Sequence, residues 1–314
     1  MKLFSNKLFS LVMIILFYIL AFVGAYFSFV YIPIDAILVR FLIADVIATI
    51  IIFIGSLLFK NASVYDPYWS VAPMVMALFF AHHSTGFHLF NLLIIIVIEL
   101  WGLRLTVNWL LRFKNLKTQD WRYTHFQNKY PKLYPLINFF GIHLAPTLIV
   151  YFGMLPVFAY MDAFGKIPAE NLNMTIIISM VVALIAIGIE MIADIQMNKF
   201  RKNPDNMGKV NCHGLWKISR HPNYFGEILF WISMFLFALS VRSDLWVLIF
   251  CPLVIFLLFG VVSIPLLEKR ELASKPEYAD YKMKTNLLLP IFPPSPEMVE
   301  TRQKRRIEKR KRGK

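Results

Sequence analysis

The chain has 314 residues, of which 58% are hydrophobic, 16% aromatic and 17% charged, and it carries a formal net charge of +14. A soluble globular chain holds about 45–50% apolar and about 25% charged residues, so a cytosolic enzyme, a disordered protein and a secreted disulfide scaffold are excluded. Two cysteines, Cys212 and Cys251, are too few for a disulfide framework and too far apart for a metal pair.

A bilayer-spanning helix needs about 20 mostly apolar residues. Segments of that kind are predicted at 8–30, 34–59, 70–82, 87–110, 139–161, 174–198, 225–241 and 245–266, the third of them short. This pattern predicts an all-α, polytopic membrane helical bundle of about seven to eight transmembrane helices. If all eight cross, 29 of the 33 Lys and Arg residues fall on one side, and only Lys166 and Arg242 fall in loops on the other. By the positive-inside rule both termini are then cytoplasmic, in a bacterial inner membrane or the endoplasmic reticulum. The first segment is too long for a signal-peptide core and lacks a small-residue cleavage site, so no cleaved leader is expected. Three regions are expected: N-terminal transmembrane helices at 1–60, a membrane domain with a polar cavity at 61–292 whose core is 174–292, and a tail at 293–314. The last fourteen residues hold nine Lys/Arg and one Glu. Such a run predicts a solvated, disordered cytoplasmic tail that meets anionic headgroups rather than nucleic acid.

Ionisable groups inside apolar segments are costly and default to a functional reading. Arg40 and Asp45, five residues apart, read as a structural pair or as snorkelling side chains. Asp66 stands at a segment boundary, in Tyr65-Asp66-Pro67-Tyr68, and Glu99 is unplaced. Trp101, Arg104, Asn108 and Arg112 share one helical face. Glu190, Asp194 and Arg201 share another, and Asn223, Glu227 and Trp231 a third, on a helix opened by Pro222. One stripe would read as a structural interhelical pairing. Three stripes near the cytoplasmic ends predict the wall of a polar cavity, because lipid cannot satisfy them. His82, His83 and His88 lack a carboxylate or Cys at ligand spacing and read as interfacial residues, so no metal is expected.

The densest polar run is Gly214-Leu215-Trp216-Lys217-Ile218-Ser219-Arg220-His221-Pro222-Asn223-Tyr224-Phe225-Gly226-Glu227. A loop bearing Arg220 and His221 that enters a helix through Pro222 suits an anionic group. Asn223 and Glu227 then face the same way, fit to hydrogen-bond hydroxyl or amide groups. The residues alone describe a site for a large polar cofactor and do not say which.

With these segments the sequence resembles the membrane-embedded steroid 5-alpha-reductase C-terminal domain superfamily, in its poorly characterised, mostly bacterial branch. The resemblance rests on WGLRL at Trp101–Leu105, DWRY at Asp120–Tyr123, IEMIADIQMNKFR at Ile189–Arg201, GLWKISRHPNYFGEILFW at Gly214–Trp231, LEKREL, and the tail pieces EYADY and LLP. It covers about residues 95–292 in order. It implies an NADPH-dependent reduction of a carbon–carbon double bond conjugated to a carbonyl in a lipid or steroid-like molecule. The cofactor positions it implies are Asp194, Arg201, Asn223 and Glu227, with Arg220, His221, Tyr224 and Tyr281 added from the motif. The catalytic positions it implies are Asp66 and Trp101; Asp66 or a nearby tyrosine, Tyr65 or Tyr68, is expected to protonate the carbonyl oxygen, with Arg104 shaping the field. Trp101 stands where the family has a tyrosine, and an indole is only a donor.

The competing expectation is a methyltransferase of lipids or isoprenylcysteine carboxylates. Such enzymes share the RHPxYxG motif but bind S-adenosylmethionine, whose sulfonium suits aromatic and carboxylate neighbours. A non-enzymatic membrane scaffold is the third. Expected partners are the bilayer and a hydrophobic small molecule; neither nucleic acid nor an obligate protein partner is inferred.

Overall fold

The computed structural model describes residues 3–164, 174–290 and 294–312. Every regular element among them is helical, apart from one isolated parallel bridge between Ser219 and Asn286. The helices are α1 Lys7–Tyr31, α2 Ile37–Phe59, α3 Tyr68–Phe80, α4 Leu89–Arg112, α5 Trp121–Lys129, α6 Tyr134–Leu136 and α7 Ala145–Phe164. They continue as α8 Met174–Lys202, α9 Leu215–Ile218, α10 Pro222–Val241, α11 Phe250–Leu257, α12 Ile264–Ser274, α13 Tyr278–Lys284 and α14 Pro296–Arg312. Seven stretches among the described residues are long and apolar enough to cross a membrane: Lys7–Tyr31, Ile37–Phe59, Leu89–Arg112, Tyr134–Ala163, Met174–Lys202, Pro222–Val241 and Ser243–Ser274. The chain is a multi-pass helical membrane protein.

The boundaries have local causes. The Asn6 side chain caps α1 by accepting the Phe9 N–H at 3.0 Å. Pro33 follows the end of α1, and Pro222 opens α10 at the position where a missing N–H costs nothing. Lys60 closes α2 in the left-handed region at φ 53°.

Two compact units form, Met1–Leu172 with Ala238–Cys251, and Asn173–Phe237 with Pro252–Lys314. The first boundary therefore falls after residue 172, not at 60. Residues on both sides of 60 are cross-linked within the first unit: Asn61 Nδ2 donates to the carbonyls of Leu116 and Thr118 at 2.6 and 3.2 Å, and Leu116 N–H donates to Ser10 Oγ at 3.1 Å. The basic Lys166 lies outside the described residues.

The third predicted segment is a shorter helix than a crossing requires. The 13 residues of α3 rise about 20 Å, against about 30 Å of hydrocarbon. It is not among the seven stretches long enough to cross, and 61–67 before it hold a short 3-10 helix, Ala62–Tyr65. The Val64 carbonyl accepts from Tyr18 Oη, eleven residues into α1, at 2.8 Å. At its far end α3 continues into a π-helical turn, Ala81–Thr85, where His83 and Phe79 pack against Phe29, near the end of α1. Non-helical backbone at membrane depth is tolerated only where protein covers it. Residues 61–65 are all buried, and their N–H groups are capped: Ala62 by Gln119 Oε1 at 2.9 Å, Ser63 by Asn61 Oδ1 at 2.9 Å.

The tail also departs from expectation. Pro296–Arg312 is a helix, α14, not an irregular strand of charge. Ser295 caps it, with its Oγ accepting the Met298 N–H at 3.3 Å, and Glu300 pairs with Lys304 one turn on at 2.7 Å. Arg302 Nη1 ties the helix to the Met283 carbonyl at 2.9 Å. Glu297 in the first turn is favourably placed against the helix dipole.

Candidate functional site

In the first unit the polar chemistry concentrates on α2, α3 and α7. Tyr68, in the first turn of α3, donates its hydroxyl to Asp45 Oδ1 at 2.6 Å; the two residues are 1% and 6% exposed. Asp45 is therefore paired with a phenol, not with Arg40. Beside this pair, Thr49 and Thr147 hydroxyls meet at 2.8 Å, and Thr147 meets Tyr65 Oη at 2.8 Å. Thr147 also donates to the His143 carbonyl at 2.9 Å, and His143 Nδ1 lies 2.8 Å from the Asn138 carbonyl within a π-helical stretch, Ile137–Leu144. His143 is fully buried and its Nε2 has no hydrogen-bond partner among the described residues.

Asp45 and Tyr68 form a polar spot in the wall of a largely apolar, half-open cleft of about 80 Å³ among α1, α2 and α3. Phe22, Phe29, Phe41 and Phe79 line it, and Ala25, Ala44, Ala48 and Ala72 leave the room. Sequence reasoning set Asp45 aside because its nearest charged neighbour in the chain is Arg40. The signal was present, an acid inside a spanning segment and a tyrosine-rich turn, but sequence spacing does not say that they meet.

The catalytic residues implied by resemblance fall elsewhere in this unit. Asp66 accepts the Tyr123 hydroxyl at 2.6 Å. Beside them Arg122 makes a two-pronged contact with Asp120, at 2.9 and 3.3 Å, and the Asp120 N–H donates to Ser63 Oγ at 2.8 Å. This arrangement makes Asp66 a clamp that holds α5 and its loop to the turn before α3. Burial pushes its carboxyl up to about 6, against the pull of the Arg122 guanidinium and the Tyr123 hydrogen bond. Burial likewise raises the Tyr123 phenol, and the Asp66 charge raises it further. Trp101 is fully buried and meets Trp69 edge-on with ring centres 6.1 Å apart. Its neighbour Gly102 lets α4 approach α3 closely: a Cβ there would lie 2.6 Å from Met74 Sδ and 2.9 Å from the Ser70 carbonyl. Trp101 is thus packing between helices, and Arg104 sits half-buried one turn further along α4.

The predicted cofactor residues, Asp194, Arg201, Arg220, His221, Asn223, Tyr224, Glu227 and Tyr281, all lie in the second unit. There α8 and α10 touch at Gly226, where a Cβ would fall 2.3 Å from Glu190 Cγ and 2.9 Å from the Ala186 carbonyl. Gln196 on α8 caps the loop by accepting the Leu215 N–H at 2.9 Å, against Gly214 in the left-handed region at φ 59°. Trp216 Nε1 donates to the Ala193 carbonyl at 3.0 Å. Asp194 and Asn223 are half-buried, Arg201 is exposed at the end of α8, and buried Glu227 accepts from Trp231 Nε1 at 2.9 Å.

Arg220 departs from its expected role. Its Nε donates to Glu268 Oε1 at 2.7 Å, and its Nη1 to the Lys282 and Thr285 carbonyls at 2.8 and 2.7 Å. A guanidinium so engaged, 8% exposed, is a strut that ties the RHPN loop to α12 and α13 rather than a grip on phosphate. Glu268 also receives Lys282 Nζ and lies 3.3 Å from His221 Nε2. Burial lowers the basicity of His221, partly offset by that carboxylate. The His221 ring stacks on Tyr224, and Tyr224 on Phe259, with centroids 5.6 and 4.6 Å apart. Tyr281 is structural too: its hydroxyl donates to the Trp216 and Ser219 carbonyls.

The comparisons place the chain without assigning it a reaction. An uncharacterized protein of Schizosaccharomyces pombe (strain 972 / ATCC 24843) is 28% identical over 261 residues, covering 74% of this chain and 73% of the relative. No solved structure matches. Residues 52–285 match the model of the family described as "Protein of unknown function (DUF1295)", a span that takes in α3 and the RHPN loop but begins after the cleft residues of α1 and α2, and the chain is a member of that family.

Proposed function

We propose that this protein is a membrane-embedded, NADPH-dependent reductase of a carbon–carbon double bond conjugated to a carbonyl in a lipid, with its basic loops and termini in the cytoplasm. The observation that carries the reading is the buried Asp45–Tyr68 pair in the wall of an apolar cleft. Reduction of an enone needs a proton donor at the carbonyl oxygen, in a pocket that excludes water and accepts hydrocarbon. The proton shared between Tyr68 Oη and Asp45 Oδ1 is the one offered to that oxygen. Asp45 and Tyr68 thus replace Asp66 and Trp101 as the catalytic pair.

In the second unit the donor set suits a ribose–phosphate ligand. The exposed Arg201 at the end of α8 would meet phosphate. Asn223 and the carboxylates of Asp194 and Glu227 would meet hydroxyl or carboxamide groups. Arg220 and Tyr281 act behind them, by fixing the loop. NADPH supplies hydride when bound.

One observation favours the methyltransferase instead. With Arg220 committed to Glu268, the loop offers one fewer cation for phosphate, and the His221–Tyr224–Phe259 stack offers aromatic faces of the kind that suit a sulfonium. Thermal stability of the purified protein with NADPH or with S-adenosylmethionine separates the two, since a ligand of the native state raises apparent stability by mass action. Stabilisation by NADPH, and loss of enone turnover in both Asp45→Asn and Tyr68→Phe with that stabilisation retained, is the expected result. Stabilisation by S-adenosylmethionine alone overturns the reductase, and a response to neither favours a scaffold.

A further inference from the structure

The cleft among α1, α2 and α3 has a cation at its edge that the reactions above leave unused. Arg40 stands in the first turns of α2, four and eight residues before Ala44 and Ala48, which line the cleft. Residues at that spacing share one helix face, so Arg40 continues the cleft's α2 wall toward the α2 N-terminus. Its guanidinium lies over the ring of Phe29, another lining residue, at 4.7 Å from the centroid. Phe29 in turn meets Phe79, also in the wall, at 5.0 Å.

Arg40 has no carboxylate or hydrogen-bond partner among the described residues, and its Nε is buried. Asp45, the nearest acid along the helix, is taken by Tyr68. An unpaired arginine within an apolar segment is unfavourable, and a cation near a helix N-terminus is further disfavoured by the helix dipole. A bound anion at this place would relieve both penalties. The face of Phe29 already accounts for one side of the guanidinium, which leaves its edge as the donor surface.

We propose that the cleft binds a single-chain amphiphile with an anionic head, a carboxylate or a phosphate, whose head pairs with Arg40 and whose hydrocarbon chain lies between the phenylalanines toward Asp45 and Tyr68. The head then sits at the end of this unit remote from Asn61 and the basic loop that follows α4. The inference takes from the proposed function only the cleft's role as substrate pocket, and it narrows the substrate class from any lipophilic enone to an acidic acyl lipid.

The test is binding without NADPH. Purified full-length protein in a non-ionic detergent is titrated with palmitate, hexadecyl phosphate and hexadecanol, and affinity is read from thermal stabilisation. The expected result is that at least one of the two anions binds tenfold or more tighter than the alcohol. Arg40→Gln should reduce that preference to less than threefold while leaving alcohol binding unchanged. Ala48→Phe, which fills the cleft, should abolish binding of all three; if that variant does not fold, Ala25→Leu on the opposite wall serves the same purpose. Preference for palmitate identifies a carboxylate head, and preference for hexadecyl phosphate a phosphate head. Equal affinity for acid and alcohol, or a preference that survives Arg40→Gln, would overturn the proposal and leave Arg40 as a snorkelling side chain. If Arg40-dependent binding holds but NADPH fails to stabilise the protein, the reductase falls and the lipid site stands.

Discussion

Glu268→Gln probes the strut behind the RHPN loop. Glu268 is 5% exposed and faces Arg220, His221 and Lys282. The substitution keeps the side-chain volume and a carbonyl acceptor but removes the charge opposite a buried guanidinium. Breaking a buried pair costs about 3–5 kcal/mol, mostly because the remaining ion is left uncompensated. Lys282 is 42% exposed and adds little, since water screens it. The retained amide oxygen keeps the cost near the lower bound, about 3 kcal/mol. For a chain of 314 residues that is a fall in melting temperature of about 5 °C. Near-ultraviolet circular dichroism of the detergent-solubilised protein reads the transition. A cycle with Arg220→Gln should show coupling of about 2 kcal/mol or more. A fall under 2 °C, or additive single substitutions, would refute the argument that this carboxylate organises the loop.

Three further outcomes follow from the same geometry. Gly226→Ala places a methyl 2.3 Å from Glu190 Cγ and 2.9 Å from a helix carbonyl that cannot yield, so it should lower stability by about 1–3 kcal/mol, measured by thermal unfolding. Asp66 has its carboxyl raised to about 6 by burial, so the fold penalises its ionised form: stability is highest below about pH 4 and declines as pH rises through 6. Asp66→Asn should flatten that decline, which is on the order of 2 kcal/mol after discounting for partial exposure, in a pH series of melting temperatures. Tyr123→Phe removes the 2.6 Å bond to Asp66 and should cost about 1.5–3 kcal/mol while speeding tryptic cleavage at Lys129, read by gel electrophoresis.

Much of the architecture was legible from hydropathy because the bilayer acts as a solvent with one demand: backbone groups must be satisfied within each apolar segment. That demand is local, so the long helices could be read residue by residue. The third segment, α3, was legible as a helix too short to cross by itself. The buried turn before it, 61–67, was not legible, because its burial depends on α1, on Gln119 and on the loop after α4, partners up to 57 residues distant. The helix in the tail was obscured by its charge, which spacing could have partly redeemed through Ser295 and the Glu300–Lys304 pair.

The candidate sites divide along the same line. Composition, the polar stripes and the RHPNYFGE run determined by themselves that this is a multi-pass helical membrane protein with its polar residues gathered on a few faces. Only the tertiary structure decided which of those residues answer one another. Asp45 pairs with Tyr68, Asp66 with Tyr123, and Arg220 with Glu268, at chain separations of 23, 57 and 48 residues. A side chain's role is set by what stands opposite it in a medium of low polarity, where an unmet charge or hydroxyl is costly. That neighbour comes from another helix, and no spacing along one chain segment names it.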